Sequence, residues 1–377
     1  MNFINIGLFL SKNLMFVIAG LIGINFLVGF HELGHFLFCK LFNIKTPTFS
    51  IGFGSFIVSK KIGDTTFGLA RWPLGGYVEI AGLAEVGQGE QKDAQLAGPR
   101  SFAEKPFWQK FLVMSGGILF NLAFAYFVFS LMFMIGAPST PILSPENTTT
   151  TIASVAPDSP AQKAGLLSDD TILSVDGTPV QSTQDLLQTL NKHIDQQISL
   201  LIERNGEQQE LPLMVGSRGS ESKRSYIGVN FTTTTLPPYG FVASIKKGFE
   251  IANLHIMHTF SAFKNIFAKR DTSGMGGPIA IISATVTGAQ KGFKIYLLLL
   301  ALISISLAVL NTLPLPILDG GQIVFAAIEA IIRRPLPESV REYIHIASWL
   351  GVMFLVVCLS ARDIYRLLEP LIQKFIS

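Results

Sequence analysis

Charge is scarce in this chain. Asp, Glu, Lys and Arg make up 15% of 377 residues, against about a quarter in soluble domains. None of the four occurs between residues 13 and 30. With 49% hydrophobic residues and a mean hydropathy of +0.45, this excludes a purely water-soluble protein and implies a membrane protein with some water-facing part. The net charge of +3 is small and dispersed, so nucleic acid is excluded as a partner. Cysteine is nearly absent: only Cys39 and Cys358 occur, with no Cys-x-x-Cys. That rules out a thiolate zinc site and argues against a stabilising disulfide; both cysteines read as small apolar fillers. The first apolar run is too long for the core of a signal peptide, so it is expected to remain in the mature protein.

What is present is apolar length. Residues 14–42, 107–135, 295–318 and 344–359 each approach the ~20 residues that a bilayer requires. The loop after the first run carries Lys40, Lys45, Lys60, Lys61, Arg71, Arg100 and Lys105, and the loop after the third carries Arg333, Arg334 and Arg341. This bias places both loops in the cytoplasm. The N-terminus and the segment between runs two and three then lie outside, as does the C-terminal tail with Arg362, Arg366 and Lys374.

Within the first run stand His31, Glu32, Leu33, Gly34 and His35. Four residues apart on a helix, the two histidines share a face and can reach one metal ion, while Glu32 projects about 100° away, placed to take a proton from metal-bound water. Ionisable groups at this depth are costly, so they are read as functional. A chance match in a soluble helix is disfavoured by the apolar flanks.

Catalytic zinc takes three protein ligands and keeps one position for water. No third ligand follows His35 in its helix. The candidate is Asp319, at the end of N-T-L-P-L-P-I-L-D-G-G (residues 311–321), and the only acidic residue between Asp271 and Glu329. Pro314 and Pro316 break the helix, and irregular backbone at membrane depth is tolerated only where it is buried in protein or lines a cavity. The bland alternative is an Asp capping a helix at the interface. Counting residues from the same side puts His31 and Asp319 at similar depth at ~1.5 Å per residue, near the cytoplasmic surface.

From residue 148 to 231 the composition becomes that of a soluble domain. Strands alternate with a Pro-capped short helix at 161–164, an Asp176-Gly177 turn, an amphipathic helix at 184–192 and a hairpin around Asn205-Gly206. The order, with D-S-P-A-Q-K-A-G-L and I-L-S-V-D-G, resembles a PDZ domain of the circularly permuted bacterial type. Asp169 stands where such domains carry glycine. Residues 226–229, Tyr-Ile-Gly-Val, look like the carboxylate-cradling loop, which makes Gly228 a substrate-binding candidate. Apolar positions 245, 249, 252, 256, 260, 263 and 267 form one stripe of an amphipathic helix suited to the membrane interface. Its His255 and His258, like His193 and His345, read as interfacial or structural histidines. Residues 56–61 and 65–69 read as a hairpin whose edge could take up substrate by strand addition; an ordinary cytoplasmic hairpin is the alternative.

H-E-L-G-H and N-x-x-P-x-P-x-L-D-G-G together resemble the site-2 protease family of intramembrane zinc metalloproteases, along with the S-G-G-I-L-F-N of residues 115–121. The likeness is greatest to bacterial members that cleave anti-sigma factors and remnant signal peptides, although a single PDZ domain stands where the best-known members have two. It implies zinc on His31, His35 and Asp319, Glu32 as base and Asn311 contacting substrate. The expected architecture is a polytopic α-helical membrane protein of about four spans, with a membrane-associated β-hairpin and an inserted α+β PDZ domain. Its parts are 1–147, 148–231, 232–294 and 295–377. The implied partners are single-span membrane proteins and the lipid bilayer, and the location is the bacterial inner (plasma) membrane, multi-pass, with the active site near the cytoplasmic side. A catalytically inactive PDZ scaffold is the rival reading, disfavoured because scaffolding has no use for Glu32. A transporter would line a path across the membrane with ionisable groups, whereas here they cluster at one depth.

Overall fold

The computed structural model describes residues 3–83, 98–138, 140, 143, 149–218, 224–232, 235–269 and 276–376. In chain order it contains α1 (Phe3–Leu41), β1 (Thr48–Ile62), β2 (Thr65–Val78) and α2 (Phe107–Met134). There follow β3 (Ile152–Val155), α3 (Pro160–Lys163), β4 (Thr171–Val175), β5 (Thr178–Pro179), α4 (Thr183–Leu190), β6 (Gln197–Arg204) and β7 (Glu207–Met214). Next come β8 (Gly216–Arg218), β9 (Arg224–Tyr226), β10 (Val229–Phe231), α5 (Phe241–Lys269), α6 (Pro278–Gln290), α7 (Phe293–Asn311), α8 (Asp319–Ile332) and α9 (Glu338–Ile376). The chain divides into two compact units, one of Met1–Ser130 with Gly248–Ser377 and one of Leu131–Lys247.

Four helical stretches are long and apolar enough to cross a membrane: Leu14–Leu41, Phe107–Met134, Phe293–Asn311 and Ser339–Tyr365. The third begins two residues before the expected 295–318 and is shorter than it. Its helix stops at Asn311, and Asp319 opens a new helix instead of closing the old one. Helix α9 extends well beyond the expected 344–359 in both directions. Cys358 is exposed on it, so only Cys39 fills a core. Helix α6, not anticipated from the sequence, packs on α1, α7 and α9. Its first turn is capped from α9, where Asp363 accepts from the Ala280 amide at 2.9 Å.

Helix α1 ends because Asn43 takes a left-handed conformation and the Ile44 amide returns to the Cys39 carbonyl at 2.8 Å, a Schellman closure. The chain then enters the antiparallel hairpin β1–β2, which is far longer than the expected 56–69 and is irregular near residues 49–58. Gly52, Gly54 and Gly75 take positive φ at these irregularities. The root of the hairpin is buried with Phe49, Val78 and Ile80 against Cys39, Val113 and Met114. Its outer part exposes Ile57, Val58 and Trp72. At the tip Arg100 pairs with Asp64 at 2.7 Å, holding the exposed Asp64 carboxyl below the usual carboxylate range.

The second unit carries a four-stranded sheet of order β5-β4-β6-β7 and two small ladders, β3 with β10 and β8 with β9. Ile152, Ile172, Val175, Leu186, Ile198 and Leu200 fill its core. Ser159 caps α3 ahead of Pro160, and Ser182 with Asp185 forms a capping box on α4. Asp169 has φ +71°, the conformation in which glycine is free and Asp tolerated. Arg204 donates two bonds of 2.7 Å to Asp170. Burial pushes the Asp170 carboxyl up, but these bonds and the Leu167 amide outweigh it and hold it low.

Candidate metal centre

The position of His31 and His35 on one face of α1 follows from their spacing; glycine decides what lies opposite. A Cβ on Gly34 would overlap the Gly116 carbonyl, and one on Gly116 would overlap that of Gly34, so α1 and α2 meet backbone to backbone here. The next residue of α2, Gly117, faces the two imidazoles, whose rings occupy the space a Cβ would take.

Asp319 reaches the same place from another direction. After α7 the seven residues 312–318 turn back on themselves, with the Leu315 amide on the Leu313 carbonyl and the Leu318 amide on the Leu315 carbonyl, both 2.8 Å. Gly320 and Gly321 lie against the Leu313 and Leu315 carbonyls with no room for a side chain. Gln322 donates to the Pro316 carbonyl at 2.7 Å and stands 3.2 Å from His345 Nε2. Irregular backbone is thus satisfied internally, and Asp319 is delivered at the first residue of α8, where a carboxylate is favoured.

Three candidate ligand residues converge, each offering one atom, all within 4.8 Å of one another. His31 Nε2 lies 3.2 Å from His35 Nε2. Asp319 Oδ2 is 3.3 Å from His31 Nε2, and its Oδ1 is 3.3 Å from His35 Nε2. A tetrahedron with zinc–ligand arms of ~2.0–2.1 Å has edges of about 3.3 Å, so the donor set fits zinc in type and spacing. Asp319 Oδ2 is also enclosed and lacks a hydrogen-bond partner among the described residues, as expected of an oxygen reserved for a cation.

The ring nitrogens facing away are held too. His35 Nδ1 is 2.8 Å from the Val113 carbonyl, which fixes its proton there and leaves the Nε2 lone pair free. His31 Nδ1 is 3.1 Å from the Asn121 amide. Asn121 Oδ1 is enclosed and without a partner; a half-turn of the amide presents it to an Nδ1 proton. Ser304 of α7 anchors Asn121 by donating to its carbonyl at 2.9 Å. Sequence reasoning assigned Asn121 no role, although an amide within an apolar run was a visible signal.

A cavity of about 360 Å³ opens on the three ligands and is lined also by Glu32, Phe53, Tyr77 and Asn311. Glu32 Oε2 accepts from the Val78 amide at 3.0 Å, so the last residue of β2 steers the carboxylate. His31, Glu32, His35, Asn311 and Asp319 are therefore brought together in one unit. Gly228 lies in the other, with φ +81°, its carbonyl accepting from the Ala156 amide at 2.8 Å. Asp271 lies outside the described residues.

Known proteins resemble this chain along most of its length. Curated relatives each carry the name "Putative zinc metalloprotease". One from Campylobacter jejuni is 31% identical, covering 93% of this chain and 94% of its own. One from Clostridium perfringens is 31% identical, covering 93% and 98%. The solved PDZ domain of an SdrC-like protein from Listeria monocytogenes aligns with 22% of this chain and 84% of its own, at 17% identity and a TM-score of 0.20. Peptidase family M50 matches residues 19–357, and the chain belongs to that family, the zinc-dependent metallopeptidases of the site-2 protease type.

Proposed function

We propose that this metallopeptidase cleaves transmembrane segments of single-span membrane proteins in regulated intramembrane proteolysis, with His31, His35 and Asp319 holding zinc and Glu32 as general base. The observation that carries the reading is the convergence of His31, His35 and Asp319, in contact at 3.2–3.3 Å, between apolar helices. A soluble peptidase has no reason to set its ligands in helices of membrane length. Zinc bound there supplies Lewis acidity toward a scissile carbonyl and lowers the pKa of the water it holds. Glu32 takes the proton of the attacking water and returns it to the leaving amine. The Val78 amide keeps Glu32 aimed, and Asn311, at the cavity wall, is placed to bond substrate backbone.

A transmembrane helix hides its peptide bonds and must be unwound before hydrolysis. The hairpin β1–β2 is suited to hold an extended segment: its Phe53 and Tyr77 line the cavity, and a free strand edge can add a substrate strand. Its exposed Ile57, Val58 and Trp72 are read as contacts with the bilayer. The basic loops support an inner-membrane location with the zinc near the cytoplasmic side. Anti-sigma factors and remnant signal peptides are the proposed substrates, and the PDZ-like segment 148–231 is proposed to select among them, with amides near Gly228 receiving a C-terminal carboxylate. The test is cleavage of a single-span reporter by purified protein in lipid vesicles: a cut within the apolar segment, lost on chelation, is expected. Cleavage confined to soluble peptides overturns the reading.

A further inference from the structure

A second cavity, of about 490 Å³, lies in the same unit, and the catalytic reading makes no use of it. Lys105, Lys110, Arg333, Arg334 and Arg341 line it, drawn from the start of α2, the end of α8 and the start of α9. Two carboxylates, Glu104 and Glu329, stand against these five cations. Glu329 is already engaged: it pairs with Arg341, lies 3.9 Å from Lys110 and accepts from the Leu336 amide at 3.1 Å. Lys105, Arg333 and Arg334 have no ion pair among the described residues, and Arg341 Nε is enclosed without an acceptor. Cations gathered around one cavity repel one another unless an anion joins them.

The surroundings identify the anion's source. Apolar surface begins beside the cationic mouth, with Phe107, Trp108 and Phe111 exposed on the first turns of α2 and Ile331 on the last turn of α8 (80% exposed). Aromatic residues at the end of a membrane-length helix mark the headgroup level. A phosphate with acyl chains attached would meet cations at its head and these side chains along its tails. A free phosphate has no use for the apolar flank. Arg333 takes a left-handed conformation, φ +54°, where helix α8 closes, and the turn into α9 carries Arg334 beside it.

We propose that this cavity is a binding site for the headgroup phosphate of an anionic phospholipid. The proposal rests on the membrane-spanning reading above, and its test separates the two. Full-length protein is reconstituted into nanodiscs of mixed phosphatidylglycerol and phosphatidylcholine, and lipid retained after mild detergent extraction is measured by native mass spectrometry. Wild type and the soluble-unit control Lys192→Gln are expected to retain phosphatidylglycerol selectively. The double variant Arg333→Asn/Arg334→Gln, with Asn chosen because it tolerates the left-handed turn, should retain about tenfold less. Lys105→Gln, which leaves the turn untouched, should show a smaller loss. Variants are compared at equal zinc content and equal nanodisc incorporation. Equal retention by wild type and both variants overturns the proposal while leaving the protease reading standing. Displacement of the lipid by inorganic phosphate at matching concentration also overturns it, pointing to a soluble anion. Failure of the wild type to enter nanodiscs defeats both readings.

Discussion

Gly34 of α1 and Gly116 of α2 face each other so closely that a Cβ on either would overlap the other's carbonyl. This contact brings the histidine face of α1 against α2 and leaves Gly117 as the floor beneath both imidazoles. Gly117→Ala should therefore displace the rings, lowering zinc affinity about 10–100-fold, the range seen when ligand-orienting contacts are lost. An overpacking cost of about 1–3 kcal/mol should accompany it. Gly351→Ala, at a position open on all sides, serves as the control. Chelator titration with metal analysis reads the first effect and thermal unfolding the second. Wild-type zinc affinity in Gly117→Ala would show that the rings do not depend on this glycine.

Ligand and base should separate experimentally. Asp319→Ala removes one of three convergent donors, and the purified variant should lose both zinc and activity. Asp64→Ala, an exposed carboxylate paired with Arg100, should lose neither. Glu32→Gln keeps all three donors, so zinc should stay while turnover falls by about 10²–10⁴ or more, the contribution of a positioned general base. Full zinc occupancy in Asp319→Ala would move the third ligand elsewhere.

The second unit offers a pH prediction. Asp170 is held below its ordinary value by Arg204 and the Leu167 amide. A lowered folded-state pKa stabilises the fold above the unfolded value near ~3.9; that contribution fades as pH falls through the lower folded value. At neutral pH Asp170→Asn should destabilise this unit by about 1.5–3 kcal/mol, the worth of hydrogen bonds to a charged group. As pH falls through the lowered folded-state value, variant and wild type should converge. Hydrogen exchange over residues 149–218 of the full chain measures both, and a difference that persists unchanged at low pH would contradict the assignment.

The donor set was legible because ionisable residues in apolar runs stand out against their background: His31, Glu32, His35 and Asp319 could each be picked by that contrast alone. How they are held was far less legible. Gly34, Gly116 and Gly117 matter through contacts between helices distant in sequence, and nothing local to an apolar helix marks which glycine another backbone will touch. Pro314 and Pro316 marked a break in the third run, but that the helix stops at Asn311 and that Asp319 opens a new one was not marked, because hydropathy reports burial and not backbone path. The hairpin was underestimated for a related reason, since its positive-φ glycines interrupt the alternation by which strands are recognised. In the second unit, caps, turns and alternation all operate within a few residues, and the expected helices and the strand β6 appear within a residue or two of their places, while β7 begins three residues before the expected 210.

The proposed orientation can be read with single cysteines. The bias of Lys60, Lys61, Arg333 and Arg334 toward the two connecting loops is the basis for proposing that those loops lie in the cytoplasm. In a background with Cys39→Ala and Cys358→Ala, cysteines at exposed Lys61 and Arg334 should resist an impermeant thiol reagent in intact cells. A cysteine at Ser217, in the segment between the second and third spans, should react. All three should react once the membrane is opened, which controls for local shielding. A Lys61 cysteine labelled in intact cells, with the Ser217 cysteine protected, would invert the topology. His35 lies only five residues before Lys40 at the end of α1, about 7.5 Å at 1.5 Å per residue. The inverted pattern would therefore put the zinc ligands near the outer face and require substrates to be cut from that side.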